Sequence, residues 1–172
     1  MSVEKNQGTR RKHKLTSEEI WNLLEQVKDP EIPVVSVVEL GIIRQVDVDG
    51  ETVRVRMTPT FSGCPALQEM QNQIEARLRQ AGAVQVDVQI ILAPPWSTDW
   101  IAPEARQKLR DFGLAPPPVH GGNFELASLE MAACPYCSST DTSLKNSFGS
   151  TLCRAIFYCN HCQQPFEQFK PL

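Results

Sequence analysis

The six cysteines of this 172-residue chain fall into two groups with different chemistry. Four form two knuckles, CPYC (Cys134 to Cys137) and CNHC (Cys159 to Cys162), with 21 residues between them. Two C-x-x-C knuckles set four soft thiolates at the corners of a tetrahedron, the arrangement of a structural zinc site. Similar spacings also hold a rubredoxin-like iron or a cluster, so those metals stay open beside the expected zinc. Between the knuckles Leu152, Ala155, Ile156, Phe157 and Tyr158 suffice for a short hairpin but not for an independent core. The metal must then supply much of the folding energy, on the order of 10–16 kcal/mol in small zinc-finger peptides. His161, inside the second knuckle, is expected beside the ligands or in solvent.

The other two thiols stand alone. Cys64 ends the stretch MTPTFSGC and is followed by Pro65, a residue favoured in the first turn of a helix. Its sulfur is therefore expected beside the unpaired amides of a helix start, where a thiol pKa of about 8.5 can fall to roughly 3.5–7.5. Such a thiolate can bind iron or attack an electrophile; the plainer alternative is a helix cap. Thr58, Thr60 and Ser62 can add hydrogen bonds to it. Cys153, between Leu152 and Arg154, is either a small buried hydrophobe or a ligand that joins a thiol elsewhere. In DPEIP, Asp29 and Glu31 sit on a rigid turn that can orient a metal-bound group or meet a partner, or they are solvated acids at a helix stop. A nucleophilic enzyme needs a base beside its thiol, but His13 falls in the tail, His120 in a linker and His161 in a knuckle.

The elements that must position these groups are legible in the pattern. Thr16 and Glu19 form a capping box, and Ile20, Leu23, Leu24 and Val27 follow at helical spacing, predicting a helix to about Lys28. Asp49-Gly50 between two alternating runs predicts a tight hairpin with Val53, Val55 and Met57 facing the core. Leu67, Met70, Ile74, Leu78 and Ala81 mark one face of a second helix closed by Gly82. Val84 to Leu92 reads as a third strand, and Pro103 opens a short helix carrying Ala105, Leu109 and Phe112 up to Gly113. Trp96 and Trp100, in PPWSTDW, are core plugs or partner anchors.

The expected organisation is α+β: a flexible tail over 1–15, a domain over 16–113 with a small three-stranded sheet packed with helices, a Pro/Gly-containing linker over 114–130, and a four-cysteine zinc ribbon over 131–172. The APPPVHGGNF stretch reads as a semi-rigid spacer. No apolar run approaches the roughly 20 residues of a membrane span, and the first residues lack the apolar stretch of a signal peptide. The cytoplasm is the expectation, and in a reducing compartment cysteines serve metals more often than disulfides. A formal net charge of -3 argues against general nucleic-acid binding, as do Lys145, Arg154 and Lys170, which form no cluster. Arg10, Arg11, Lys12 and Lys14 lie in a polar tail and read as a solvated segment, with a docking patch as the alternative. The chain has no G-x-x-x-x-G-K-[ST], no G-x-G-x-x-G and no Glu-x-x-His pair, which argues against an ATPase, a dinucleotide enzyme and an oxygen-activating di-iron subunit.

DPEIPVVSVVELGIIR together with TPTFSGCPA resembles the small iron-sulfur assembly family that includes SufT-like proteins. With PPWSTDWIAPEAR, FGSTLCRA and the two knuckles added, the chain resembles the D components of bacterial phenylacetyl-CoA epoxidase systems over about Ser17 to Phe169. The resemblance implies an accessory or maturation factor of aerobic phenylacetate breakdown that is not itself a catalyst. Its partners would be the oxygenase subunits, the flavin and [2Fe-2S] reductase, and the iron-sulfur assembly machinery. Carried over by position, the DPE element is Asp29, Pro30 and Glu31, the characteristic thiol is Cys64, and the ribbon ligands are Cys134, Cys137, Cys159 and Cys162. On this reading Cys64 is a thiolate ligand of transient iron or of an iron-sulfur cluster passed to the reductase. Its missing ligands would come from Cys64 of a second copy in a homodimer, from Cys153, or from the recipient. A structural adaptor of the oxygenase complex and a direct electron-transfer component remain as alternatives.

Overall fold

The computed structural model describes residues 15–123 and 130–171. The basic tail cluster and residues 124–129 of the expected linker lie outside the described residues. Leu15, expected as the end of the tail, packs against the core.

Helix α1 (Ser17–Leu24) starts as its sequence dictates: the Thr16 hydroxyl accepts the Glu19 amide at 3.2 Å, and Glu19 accepts the Thr16 amide at 2.8 Å. It stops short of the expected Lys28. The Val27 amide pairs with the Leu24 carbonyl, its own carbonyl accepts the Val37 amide, and Lys28 bridges Ser36, so the chain folds back on itself while Val27 stays buried.

Strands β1 (Ile43–Asp49) and β2 (Thr52–Met57) form the expected antiparallel hairpin, turned at Gly50 with φ +61°. Helix α2 (Leu67–Gln80) then carries the chain across to β3 (Gln85–Ile90), which runs parallel to β2, giving the order β1-β2-β3. Val53, Val55 and Met57 are buried with Met70, Ile74 and Leu78 in a core that also takes Ile20 and Leu24. Val84 and Leu92, expected in the third strand, lie outside its pairing and are exposed. Trp96 is a core residue whose indole N–H donates to the Leu40 carbonyl at 2.9 Å. Trp100 is half-buried under the Arg44 guanidinium, 3.6 Å from the ring centroid.

Helix α3 (Pro103–Asp111) buries Ala105 and Leu109, but Phe112 is its C-terminal cap and points into solvent as Gly113 turns the chain. Next comes a difference from the expected spacer. Leu114 and Ala115 are buried as strand β4 (Leu114–Ala115), the edge of a second sheet. That sheet has the order β4-β7-β6-β5, with β5 (Thr142–Asn146), β6 (Arg154–Cys159) and β7 (Pro165–Phe169). Two apolar residues before a proline run suffice to cover an open edge.

The second sheet has a small core of its own, built on Ala115, Ala132, Ala155, Phe157 and Phe166. Phe169 and Cys153 instead join the larger core, where Phe169 meets Trp96 with ring centroids 5.7 Å apart. Among the described residues no helix is long and apolar enough to cross a membrane.

Candidate functional site

The four knuckle cysteines converge, with all their ligand atoms within 4.8 Å of one another. Each knuckle has the same local cause. The residue after its second cysteine, Ser138 or Gln163, takes a left-handed conformation (φ +60° and +59°) and returns its amide to the first cysteine's carbonyl. This turn points two sulfurs to one side. The Cys134–Cys162 and Cys137–Cys159 sulfurs are each 3.6 Å apart. A tetrahedron with Zn–S bonds of about 2.3 Å has edges of about 3.8 Å, so the donor set fits a tetrahedral thiophilic ion. Without a cation the thiols cannot all ionise together. The Cys162 amide pulls Cys159 down to about 6, while burial and then the neighbouring sulfurs push Cys162 up to about 12. His161 is exposed and is not among these donors.

The remaining two thiols line one cavity elsewhere. Cys64 lies past the carboxyl end of the central strand β2, in the turn that leads into α2, where its sulfur accepts the Ala66 and Leu67 amides. The expected helix-start environment is present, yet the thiol is pushed up, not down. Burial is the main cause, and the carboxylates of Glu31 and Asp29 add to it, outweighing the amides. Cys153 is buried at the end of the β5–β6 loop, 3.1 Å from the Thr151 hydroxyl. Burial, Glu31 and Asp29 raise its pKa as well. Both thiols line one cavity of about 250 Å³, walled by Glu31, Phe61 and Pro65 on one side and by the loop 148–153 on the other.

The DPE turn holds the acids in place. Asp29 is buried and accepts the Glu31 and Ile32 amides at 2.8 and 2.9 Å; burial still pushes its carboxyl up. The sequence reading missed the residue that locks this turn to the second sheet. Arg154, on β6, donates to the Glu31 carbonyl at 2.7 Å and to Glu167 at 3.0 Å. An arginine directly after a buried cysteine in FGSTLCRA was the available signal. Thr58 is not brought to the cavity wall: it is buried at the end of β2, and its hydroxyl has no partner among the described residues.

Ser97, Asp99 and His120 also come together, with His120 Nε2 3.4 Å from Ser97 and Nδ1 3.4 Å from Asp99. The Gly122 amide lies 3.1 Å from both His120 Nδ1 and Asp99 Oδ2, and the Ser97 hydroxyl accepts the Asp99 amide at 3.3 Å. Asp99 accepts the His120 and Gly122 amides, which ties residues 120–122 to the short 3-10 turn Thr98–Trp100.

Comparison with known proteins bears on both sites. Residues 17–90, which include Asp29, Glu31 and Cys64, match the family model described as an iron-sulfur cluster assembly protein. Residues 120–170, with the four knuckle cysteines, match the PaaD zinc beta ribbon domain. A relative in Escherichia coli strain K12, named for the D component of 1,2-phenylacetyl-CoA epoxidase, is 42% identical over 152 residues, covering 88% of this chain and 91% of that one. The Fe-S protein maturation auxiliary factor of Porphyromonas gingivalis is 35% identical over 96 residues, 55% of this chain and 90% of its own length. A crystal structure of a domain of unknown function from Bacillus anthracis aligns with TM-score 0.50 and 27% identity, over 54% of this chain and 89% of that domain.

Proposed function

As the chain belongs to the family of the 1,2-phenylacetyl-CoA epoxidase D components, we propose that it is an accessory factor in iron-sulfur assembly for that system, with Cys64 as the ligand that carries a cluster to the reductase component. The cluster is cargo here, and the ribbon is a docking module held by a structural zinc. The observation that carries the reading is the position of Cys64. It stands at the carboxyl end of β2, against Asp29 and Glu31, inside the stretch that matches the iron-sulfur assembly model. Sites at the carboxyl ends of strands, next to a helix start, are where such sheets place ligands.

The local electrostatics suit a carrier. At neutral pH the Cys64 thiol keeps its proton, because burial and the two carboxylates oppose a thiolate. The same carboxylates give the site a negative potential that draws an iron cation, and a cation at the sulfur displaces the proton. The amides of Ala66 and Leu67 then support the thiolate. A thiol that ionises only against metal is spared idle oxidation.

The test is the iron and acid-labile sulfide content of the reductase purified from cells that make the epoxidase system with Cys64→Ala in place of the natural chain. The expected result is a cluster-poor reductase. A fully loaded one would refute the carrier role of Cys64 and favour a structural adaptor.

A further inference from the structure

The ribbon takes four of the six cysteines, and the two left over, far apart in the sequence, face one cavity. We propose that Cys64 and Cys153 together form a two-thiol cradle that holds one half of a [2Fe-2S] cluster and leaves the other half to the thiols of a partner. This deepens the carrier reading and rests on it, because it supplies the second ligand that a single thiol lacks.

Three features of the structure bear the inference. The first is placement. The β5–β6 loop turns back over the amino-terminal unit so that Cys153 packs in the same core as Cys64, while Glu31 stands in the wall between the two elements. The loop is fixed there by Arg154 on the Glu31 carbonyl, by Ser150 on Glu167, and by the Lys170 amide on the Cys153 carbonyl at 2.9 Å. The second is scale. A cavity of about 250 Å³ compares with about 30 Å³ per water, which is room for a cluster. The third is the opening. Phe61, Phe148 and Leu152 line the cavity and are exposed, so its border is apolar and free to meet a partner.

The chemistry balances without any redox step. Each thiol passes its proton to solvent as its sulfur binds iron. A [2Fe-2S] cluster takes four protein ligands, so two positions stay open to exchange for the thiols of a recipient. Such a half-held cluster leaves by ligand substitution, with no need to open the fold.

The test uses the full-length, zinc-loaded chain and a glutathione-coordinated [2Fe-2S] cluster as probe, whose glutathione thiols stand in for the partner's. After anaerobic mixing and desalting, iron, sulfide, zinc and the visible circular dichroism are read for the natural chain, Cys64→Ala, Cys153→Ala and Cys153→Ser. Serine keeps the volume and the Thr151 hydrogen bond, so it covers the event that alanine disturbs the core. The natural chain should retain the cluster, and every variant that keeps its zinc should retain at least about 10-fold less, the loss expected when a metal site is damaged. If both Cys153 variants retain it like the natural chain while Cys64→Ala does not, the cradle is wrong and the Cys64 reading stands. If the natural chain retains none, or Cys64→Ala retains as much, the carrier reading falls and the cradle with it.

Discussion

Asp29 keeps a carboxylate where stability alone would favour an amide. Its Oδ1 accepts two backbone amides, a task an asparagine oxygen performs equally well, but burial pushes its carboxyl up in spite of those bonds and of Arg154. A group whose folded pKa is raised contributes stability below its unfolded pKa and loses it as pH rises through the folded value. At pH 7 that upward shift is thus a cost. Asp29→Asn is expected to stabilise the fold there by on the order of 0.5–1 kcal/mol. The gain should vanish below about pH 4, where the natural aspartate is protonated in both states. Thermal melts of both proteins across this pH range check it, and a lower melt at pH 7 would mean that the charge supports the turn. A stability cost retained at this position is what a site that attracts cations requires. The position of Cys64 was legible in the sequence, since a strand, a glycine and Cys-Pro announce a helix start. The direction of its pKa was not, because Asp29 and Glu31 reach it only through the tertiary fold.

At the scale of elements, the β5–β6 loop decides where Cys153 goes, and Gly149 decides the path of the loop. A Cβ built there would lie 2.7 Å from the Glu167 carboxylate oxygen, 3.0 Å from the Arg154 Cβ and 3.1 Å from its backbone carbon. A side-chain tip can yield, but backbone cannot, so Gly149→Ala must shift the loop or the strand. The expected loss is about 1–3 kcal/mol, as for other overpacked sites. Alkylation of Cys153, followed by mass spectrometry, should accelerate as the loop lifts. An unchanged melting temperature and labelling rate would show that the loop accommodates the methyl without moving the thiol. Periodicity told the long elements correctly, as with α2 and the Asp49-Gly50 hairpin, because each is stabilised by its own pattern. It failed for α1 beyond Leu24 and for β4, where Val37 and the edge of β7, both contributed from elsewhere in the chain, decide the outcome.

At the scale of the molecule, the second sheet is held from two sides, by a metal at its knuckles and by the amino-terminal core. Its own apolar cluster is small, while Phe169 against Trp96 and Arg154 against the Glu31 carbonyl anchor it to the first unit. Four thiols packed within 4.8 Å of one another are poorly served without a cation. Removing the metal with a chelator should therefore cost β5, β6 and β7 their hydrogen-exchange protection. Strand β4, which pairs with β7 alone, should follow them, while β1, β2 and β3 remain protected by the larger core. Exchange measured by mass spectrometry before and after chelation distinguishes these elements. If β5 to β7 stay protected, the anchors suffice and the metal is not what folds the ribbon. If they open, Cys153 leaves the cavity with them. In that case a metal site far from Cys64 in the sequence governs whether Cys153 faces the cavity at all.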